Sequence, residues 1–382
     1  MNRIWTCGLL IAGLVAVLLS ACAQDAARGG PSAEKPVEKT AVQPAGKPAS
    51  APAAKGDVKP ETPKGLPSTI GIGTAASGTG YHSAGGGIAK VASDHTPIKV
   101  LLKPYAGPNA WIPLVDKGEL ELGVAAGMSV GWAYNGETGF NTRNRNLRVL
   151  MQGNWIQAVS MVVRADSDIK SIKDLRGRRV QRDFGGNTLI QASVTAYLES
   201  AGLSWNDVRA VPVSDVNSSL RALREGRADV AFGGAPSSAL TQETDAAIGL
   251  RALNFGDVPP ERAEQATKEF AEVLGKYMPA STVARMRKSG WLKADATVLQ
   301  YPIYLVAAAG LSADAAYIIT KALYENDTGL QSIYVWLKDW KKDTMFGAQP
   351  PAPYHEGAVR FWKEKGSWSA DAEANQKKLL AQ

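Results

Sequence analysis

The 382-residue chain has few groups able to do covalent chemistry, and their spacing can be tested against known motifs. Gly127-Met128-Ser129-Val130-Gly131 fits G-x-S-x-G, the strand-to-helix elbow that exposes a nucleophilic serine. His355 follows in the order serine, acid, histidine, and Gly85-Gly86-Gly87 near His82 faintly resembles an oxyanion loop. An elbow needs a helix launched from its serine, and Gly136 and Gly139 break one. The expectation here is a Gly-rich loop at a strand's end, and an α/β-hydrolase with Ser129 as nucleophile is the enzyme alternative. Gly71-Ile72-Gly73-Thr74-Ala75-Ala76 fits G-x-G-x-x-A, but the next strand ends in Lys103-Pro104-Tyr105, without the acid that a dinucleotide ribose requires. Cys7 and Cys22 are the only cysteines, and His82, His95 and His355 are far apart. No enzyme activity, cofactor or metal is expected.

Non-covalent chemistry is better served. Two Gly-rich turns, Ser77–Gly80 and Gly185–Thr188, each precede a helix. Free backbone N–H groups and the positive end of a helix dipole at such turns suit an anion. The candidate ligand-binding residues of the first turn and its surroundings are Thr74, Ser77, Gly78, Thr79, Tyr81 and Asn109. Those of the second are Arg182, Gly186, Asn187, Thr188 and Asn217. Arg182 offers a fork able to pair a carboxylate bidentately. Asn109 and Asn217 read as helix N-caps that could face a cleft.

These residues sit on a plan that occurs twice. A strand at Thr69–Gly73, the first turn, a helix at Tyr81–Asp94, a strand at Ile98–Tyr105, a helix at Asn109–Lys117 and a strand at Leu120–Ala126 come first. Then Val180 ends a strand, and a helix at Leu189–Ala201, a strand at Val208–Val213, a helix from Asn217 to Gly226 and a strand at Ala228–Phe232 follow. Gly78 and Gly186, Val100 and Val208, Asn109 and Asn217, Gly118 and Gly226, and Glu121 and Asp229 all match at one offset, 186 − 78 = 108. Strands alternating with helices predict parallel βαβ units, here in two similarly built α/β lobes. Ligands of such sheets bind beyond the strands' carboxyl ends, so two facing lobes would place both turns across one cleft.

The N-terminus has its own chemistry. Arg3 and an apolar run from Ile4 to Leu19 read as a secretory signal over 1–21. Leu19-Ser20-Ala21-Cys22 reads as a bacterial lipobox, with Cys22 the lipidated residue and a membrane-anchored lipoprotein the expectation. Residues 23–66 hold ten Ala, seven Pro, six Lys and no aromatic residue. Such composition cannot bury enough apolar surface to order itself, so 22–65 is expected to be a disordered tether spanning on the order of 40 Å as a coil. The 43 Lys plus Arg against 36 Asp plus Glu, net +7, are scattered. No nucleic-acid partner is expected.

Several stretches resemble the TAXI-type solute receptors of tripartite ATP-independent periplasmic (TRAP) transporters. They are Ile72-Gly73-Thr74 through Gly85-Gly86-Gly87-Ile88-Ala89-Lys90, the run Val163 to Val180, Leu198-Glu199-Ser200-Ala201-Gly202-Leu203, Tyr317 to Leu323, and Tyr354-His355-Glu356-Gly357 through Trp362. The likeness covers about residues 68–368, in order. It implies a two-lobed periplasmic-binding-protein fold, type II-like, with lobe one at 66–162 plus 297–382 and lobe two at 163–296. It implies a small organic anion, a carboxylate or an amino acid, held in the interlobe cleft and delivered to an ion-gradient-driven TRAP permease in the periplasm. Such receptors catalyse nothing. Gln181-Arg182-Asp183-Phe184 departs from the small uncharged run usual there, which leaves the ligand open. The alternative on the same fold is a ligand-reporting lipoprotein partner of a membrane sensor.

Overall fold

Glycine spacing explains the first unit. Strand β1 (Thr69–Thr74) runs into a turn, and helix α1 (Gly80–His95) starts at Thr79, whose hydroxyl accepts the His82 amide. The glycines inside α1 are contact points. A Cβ on Gly85 would lie 2.3 Å from Thr74 Cγ2, and one on Gly87 2.4 Å from Leu337 Cδ1, so the helix lies against β1 and the C-terminal region closer than any side chain allows. The computed structural model describes residues 65–382. The signal over 1–21, the lipidation at Cys22 and all but the last residue of the tether lie outside the described residues.

Strand β2 (Lys99–Pro104), helix α2 (Pro108–Asp116), strand β3 (Leu122–Ala126), helix α3 (Gly127–Asn135) and the long strand β4 (Leu147–Ala158) complete the first run. β1 pairs in parallel with both β2 and β3, as a βαβ unit requires. Trp111 of α2 is fully buried over Gly73 and Gly123, where a Cβ would meet its ring at 2.9 and 2.1 Å. The Gly-rich loop expected after β3 is instead α3, and Gly136, expected to break a helix, is its left-handed C-cap.

The second run begins with β5 (Val162–Arg164) and continues with β6 (Arg179–Asp183), α4 (Thr188–Ser200), β7 (Arg209–Val213), α5 (Val216–Arg224), α6 (Ala239–Ile248) and β8 (Leu250–Ala252). β6 and β7 are parallel, and β5 pairs antiparallel with β8. The strand expected at Ala228–Phe232 is an extended segment joined by single contacts. Asp229 N–H donates to Arg179 O, and Ala231 bridges Val162. The 108-residue offset holds in three dimensions: α1 and α4 begin at Gly80 and Thr188, and α2 and α5 span Pro108–Asp116 and Val216–Arg224. Even the stitching acids correspond. Glu121 Oε2 accepts the Gly71 amide at 2.7 Å, and Asp229 Oδ2 accepts the Arg179 amide at 2.8 Å.

Helices α7 (Ala263–Glu269) and α8 (Ala271–Tyr277) lead to β9 (Thr282–Met286) and β10 (Ala296–Ala308). The main sheet runs β2-β1-β3-β10-β4, with β9 also on β10. β10 pairs with β9 at 296–300 and with β3 at 303–307, so the return strand serves both lobes along its length. It is antiparallel to β4, with register shifts at Pro302/Tyr304 and Leu305/Val306 that bend this shared ribbon. The chain ends in α9 (Ala313–Glu325), α10 (Asp327–Ile333), a 3-10 turn at Val335–Leu337, α11 (Glu356–Glu364) and α12 (Ala370–Leu380). This region packs back on β4 and α3: Tyr354 bridges Val149, and the Tyr134 hydroxyl donates to Leu379 O. Together these elements form a two-lobed α/β fold. Among the described residues, no helix is long and apolar enough to cross a membrane.

Candidate functional site

Three helix N-termini converge between the lobes. Gly80 and Tyr81 open α1, Leu189 and Ile190 lie in the first turn of α4, and Val216 opens α5; all five line one cavity of about 40 Å³. First-turn amides lack partners one turn back; here Ile190 N–H donates to Asn187 O and Thr188 N–H to Asn109 Oδ1, which leaves the amides of Gly80, Tyr81 and Leu189 as donors on this wall. Ala158 of β4 and Tyr301 of β10 complete the wall from the shared ribbon, and the C-terminal return adds Trp336. Lobe two closes it with Phe232, the Gly233-Gly234 pair and Ser238. The space exceeds the ~10–15 Å³ that one water needs but is well under the ~150 Å³ of a cavity that holds benzene. The lobes are therefore closed on a small volume.

The lining contains no Asp, Glu, Lys, Arg or His. Its polarity comes from amides, hydroxyls and one carboxamide. The Tyr81 hydroxyl lies beside that of Tyr301, yet no group among the described residues gives it good hydrogen-bond geometry. Burial, and then the neighbouring Tyr301, push the Tyr81 phenol well above its ordinary pKa, and burial raises Tyr301 too. Both stay neutral hydroxyls. Asn187, only 5% exposed, has a buried Oδ1 without a partner. A buried acceptor left unmade costs about 1–3 kcal/mol. Trp336 lies edge-on to Tyr81 at 5.3 Å, and a Cβ on Gly80 would meet its ring at 2.4 Å.

A second set of residues holds the lobes together. Asn109 Oδ1 accepts both the Thr188 amide, at 2.9 Å, and the Thr188 hydroxyl, while its backbone N–H donates to Gly186 O. Thr188 Oγ1 also donates to Thr138 O. A Cβ on Gly186 would lie 2.4 Å from Ala106 Cβ, so the second turn packs tightly against the loop between β2 and α2. Elsewhere Ser238 Oγ donates to Gly78 O, and the Ser237 and Tyr334 hydroxyls meet at 2.9 Å. Every contact of this clasp is uncharged.

Of the residues expected to hold ligand, Thr79, Tyr81 and Asn187 line the cavity. Gly78, Asn109, Gly186 and Thr188 sit at the clasp instead. Thr74 is fully buried below, its hydroxyl on Ala75 O, and Ser77 is exposed with His82 at 3.4 Å. Asn217 lies outside the lining with its Oδ1 unpartnered. Neither Asn109 nor Asn217 is a cap. Gly107 and Asp215 hold those positions, and each Asn is the second residue of its helix. Arg182 corrects the sequence reading most. Its guanidinium lies over the Trp205 ring at 4.9 Å, faces Asp183 at 3.9 Å, and does not line the cavity. Val180 and Gln181 are the buried part of β6, and Arg182 and Asp183 form its exposed end. Tyr301, Ser238 and Trp336 were missed. Trp336 looks like part of a core stripe with Trp340, and only the Gly233-Gly234 pair hints at Ser238.

Ser129 does not form a hydrolase site. It is 2% exposed, and no hydrogen bond joins it to a histidine among the described residues. His355 is the N-cap of α11, its Nδ1 accepting the Gly357 amide, and burial lowers its pKa. No group of His, Cys, Asp and Glu among the described residues could hold a metal ion.

The sequence pattern of the NMT1-like family matches residues 72–366, from the second half of β1 to just past α11. This chain belongs to the NMT1-like family. Solved structures similar to it include the alkanesulfonate-binding protein SsuA of Xanthomonas axonopodis pv. citri bound to MOPS, 14% identical over 82% of this chain and 84% of that one, TM-score 0.42. Another is PhnD1 of Prochlorococcus marinus in complex with methylphosphonate, 11% identical over 78% and 99%, TM-score 0.45. In this NMT1-like chain the matched span contains both Gly-rich turns, the clasp and every cavity-lining residue.

Proposed function

We propose that this NMT1-like chain is an extracytoplasmic solute receptor that holds a small organic anion between its lobes and catalyses nothing. One observation carries the reading: three helix N-termini and two partnerless buried polar groups, Tyr81 Oη and Asn187 Oδ1, meet in a single interlobe cavity. The amides favour a carboxylate electrostatically, and the unmet side-chain groups call for a polar guest. Closure follows from differential affinity: a ligand that touches both lobes favours the clasped state only by the contacts it lacks in the open one.

The delivery target is a membrane permease. The ordered resemblance over residues 68–368 supports the ion-gradient-driven TRAP type and the TAXI class of receptor. The signal over 1–21 and the Ser20-Ala21-Cys22 ending support a periplasmic lipoprotein tethered through Cys22. Two experiments test the reading. Thermal midpoints of the purified protein should rise with short carboxylates, since a ligand at a hundred times its Kd adds about 2.7 kcal/mol. A rise with neutral or cationic solutes alone would contradict the anion reading. Cys22→Ser should move the protein from the membrane fraction to the soluble one, and retention on the membrane would contradict the anchor.

A further inference from the structure

The receptor reading leaves open whether the guest is a plain carboxylate, an amino acid or something between. The walls decide this by what they lack. Amides at the α1 and α4 N-termini offer donors to a carboxylate, and the neutral Tyr81 hydroxyl can add another. None of these satisfies Asn187 Oδ1, which is an acceptor, buried and without a partner. A carboxylate brings only acceptors to it. A guest that carries a donor as well as a carboxylate satisfies it directly, without a bridging water.

A hydroxyl and an ammonium are donors that a small organic acid can bring at the same carbon, and the cavity treats them differently. An ammonium buried away from water needs an anionic partner, and no Asp or Glu lines the space. The acid beside the lining in sequence, Asp215, is committed elsewhere: its Oδ1 accepts the Ser218 amide at 2.8 Å as the α5 cap, and its Oδ2 the Ser214 hydroxyl. The three helix N-termini add positive potential, which repels an ammonium. A hydroxyl satisfies Asn187 at no such cost. The closed space of about 40 Å³ is smaller than any such acid, so the walls must part a little to admit one, and its body lies against Ala75, Ala158 and the Trp336 ring.

Building on the receptor reading, we infer that the site takes a short 2-hydroxycarboxylate in preference to the matching 2-amino acid or unsubstituted acid. Asn187 Oδ1 accepts the ligand's O–H, and the Gly80, Tyr81 and Leu189 amides hold its carboxylate. Asn187 is then the residue that sets specificity.

Lactate, alanine and propionate have the same carbon skeleton and differ only at C2, by hydroxyl, ammonium or hydrogen. Calorimetric titration of the purified protein with each, at one ionic strength, should give lactate about tenfold the affinity of the other two. Asn187→Ala should collapse the lactate-to-propionate ratio towards one. Asn187→Asp keeps the shape of the side chain and supplies the missing anion, so it should turn the preference towards alanine, a change that misfolding cannot produce. Alanine binding as well as lactate, or all three binding equally, would overturn the 2-hydroxy inference and leave the receptor reading intact. Lactate preference that survives Asn187→Ala would overturn the role of Asn187. Binding of none of the three would sink the small-anion reading along with the inference.

Discussion

The two Gly-rich turns share a sequence plan and a helix start, yet they do different jobs. At the first, Thr79 caps α1 with its own hydroxyl, and Gly80 makes room for the Trp336 ring beside the cavity. At the second, Asn187 makes no cap bond, and the first amide of α4 is taken by Asn109 from the opposite lobe. The same asymmetry runs through the paired asparagines: Asn109 reaches across the cleft, while Asn217 has an idle Oδ1. A repeated fold thus sets where a residue sits. Whether it binds solute or clasps the other lobe depends on what the facing lobe presents.

The largest effect that bears on this contrast is expected at the backbone contact. Gly186→Ala would put a methyl group 2.4 Å from Ala106 Cβ. Overpacking of this kind costs about 1–3 kcal/mol, so at about 1.4 kcal/mol per decade solute affinity should fall roughly five- to a hundredfold. Small-angle scattering should show the variant more open in the presence of solute. Unchanged affinity would mean that the second turn need not touch the loop between β2 and α2.

The asparagines sharpen the comparison. Asn109→Ala removes the acceptor of the Thr188 amide and hydroxyl, a loss of about 1–3 kcal/mol, and should weaken binding roughly tenfold by calorimetry. Asn217→Ala removes an unused acceptor and should change affinity less than about twofold. Equal losses would erase the distinction between clasp and repeat.

The stitching acids provide a test in pH. Burial raises the Asp229 pKa, but hydrogen bonds from the Arg179 guanidinium and amide outweigh it and hold the carboxyl below its ordinary value. A depressed folded-state pKa contributes stability above the unfolded carboxylate range, and that stability is lost as pH falls through the folded value. Asp229→Asn should therefore lower the thermal midpoint at neutral pH and flatten its fall below about pH 4. The smallest effect is expected at Arg182, whose contacts are Trp205 and Asp183. Arg182→Ala should leave solute affinity within about twofold, and a tenfold loss would return the guanidinium to the binding site.

Much of the architecture is legible in the sequence because local rules fix it. The glycines, the alternation of strand and helix, and the single offset place α1 with α4 and α2 with α5. The elements that went astray depend on distant partners. Gly127–Asn135 becomes helical because Gly136 serves as its cap rather than its interruption. Ala228–Phe232 loses ladder character because β5 and β6 meet it at only a few points. The site was half legible. Thr79, Tyr81 and Asn187 follow from the turns, whereas Tyr301 and Trp336 come from a strand and a 3-10 turn more than a hundred residues away. Arg182 has chemistry that suits an anion, but it lies at the exposed end of β6, over the Trp205 ring.

A crystal structure of the protein grown with saturating lactate tests the central claim most directly. The account predicts density for the acid in the interlobe cavity, its hydroxyl within hydrogen-bond distance of Asn187 Oδ1, its carboxylate on the first-turn amides of α1 and α4, and Asn109 still holding Thr188. Acid bound instead in the surface groove lined by Arg148 and His355, or lobes that stay apart around an occupied cleft, would contradict it.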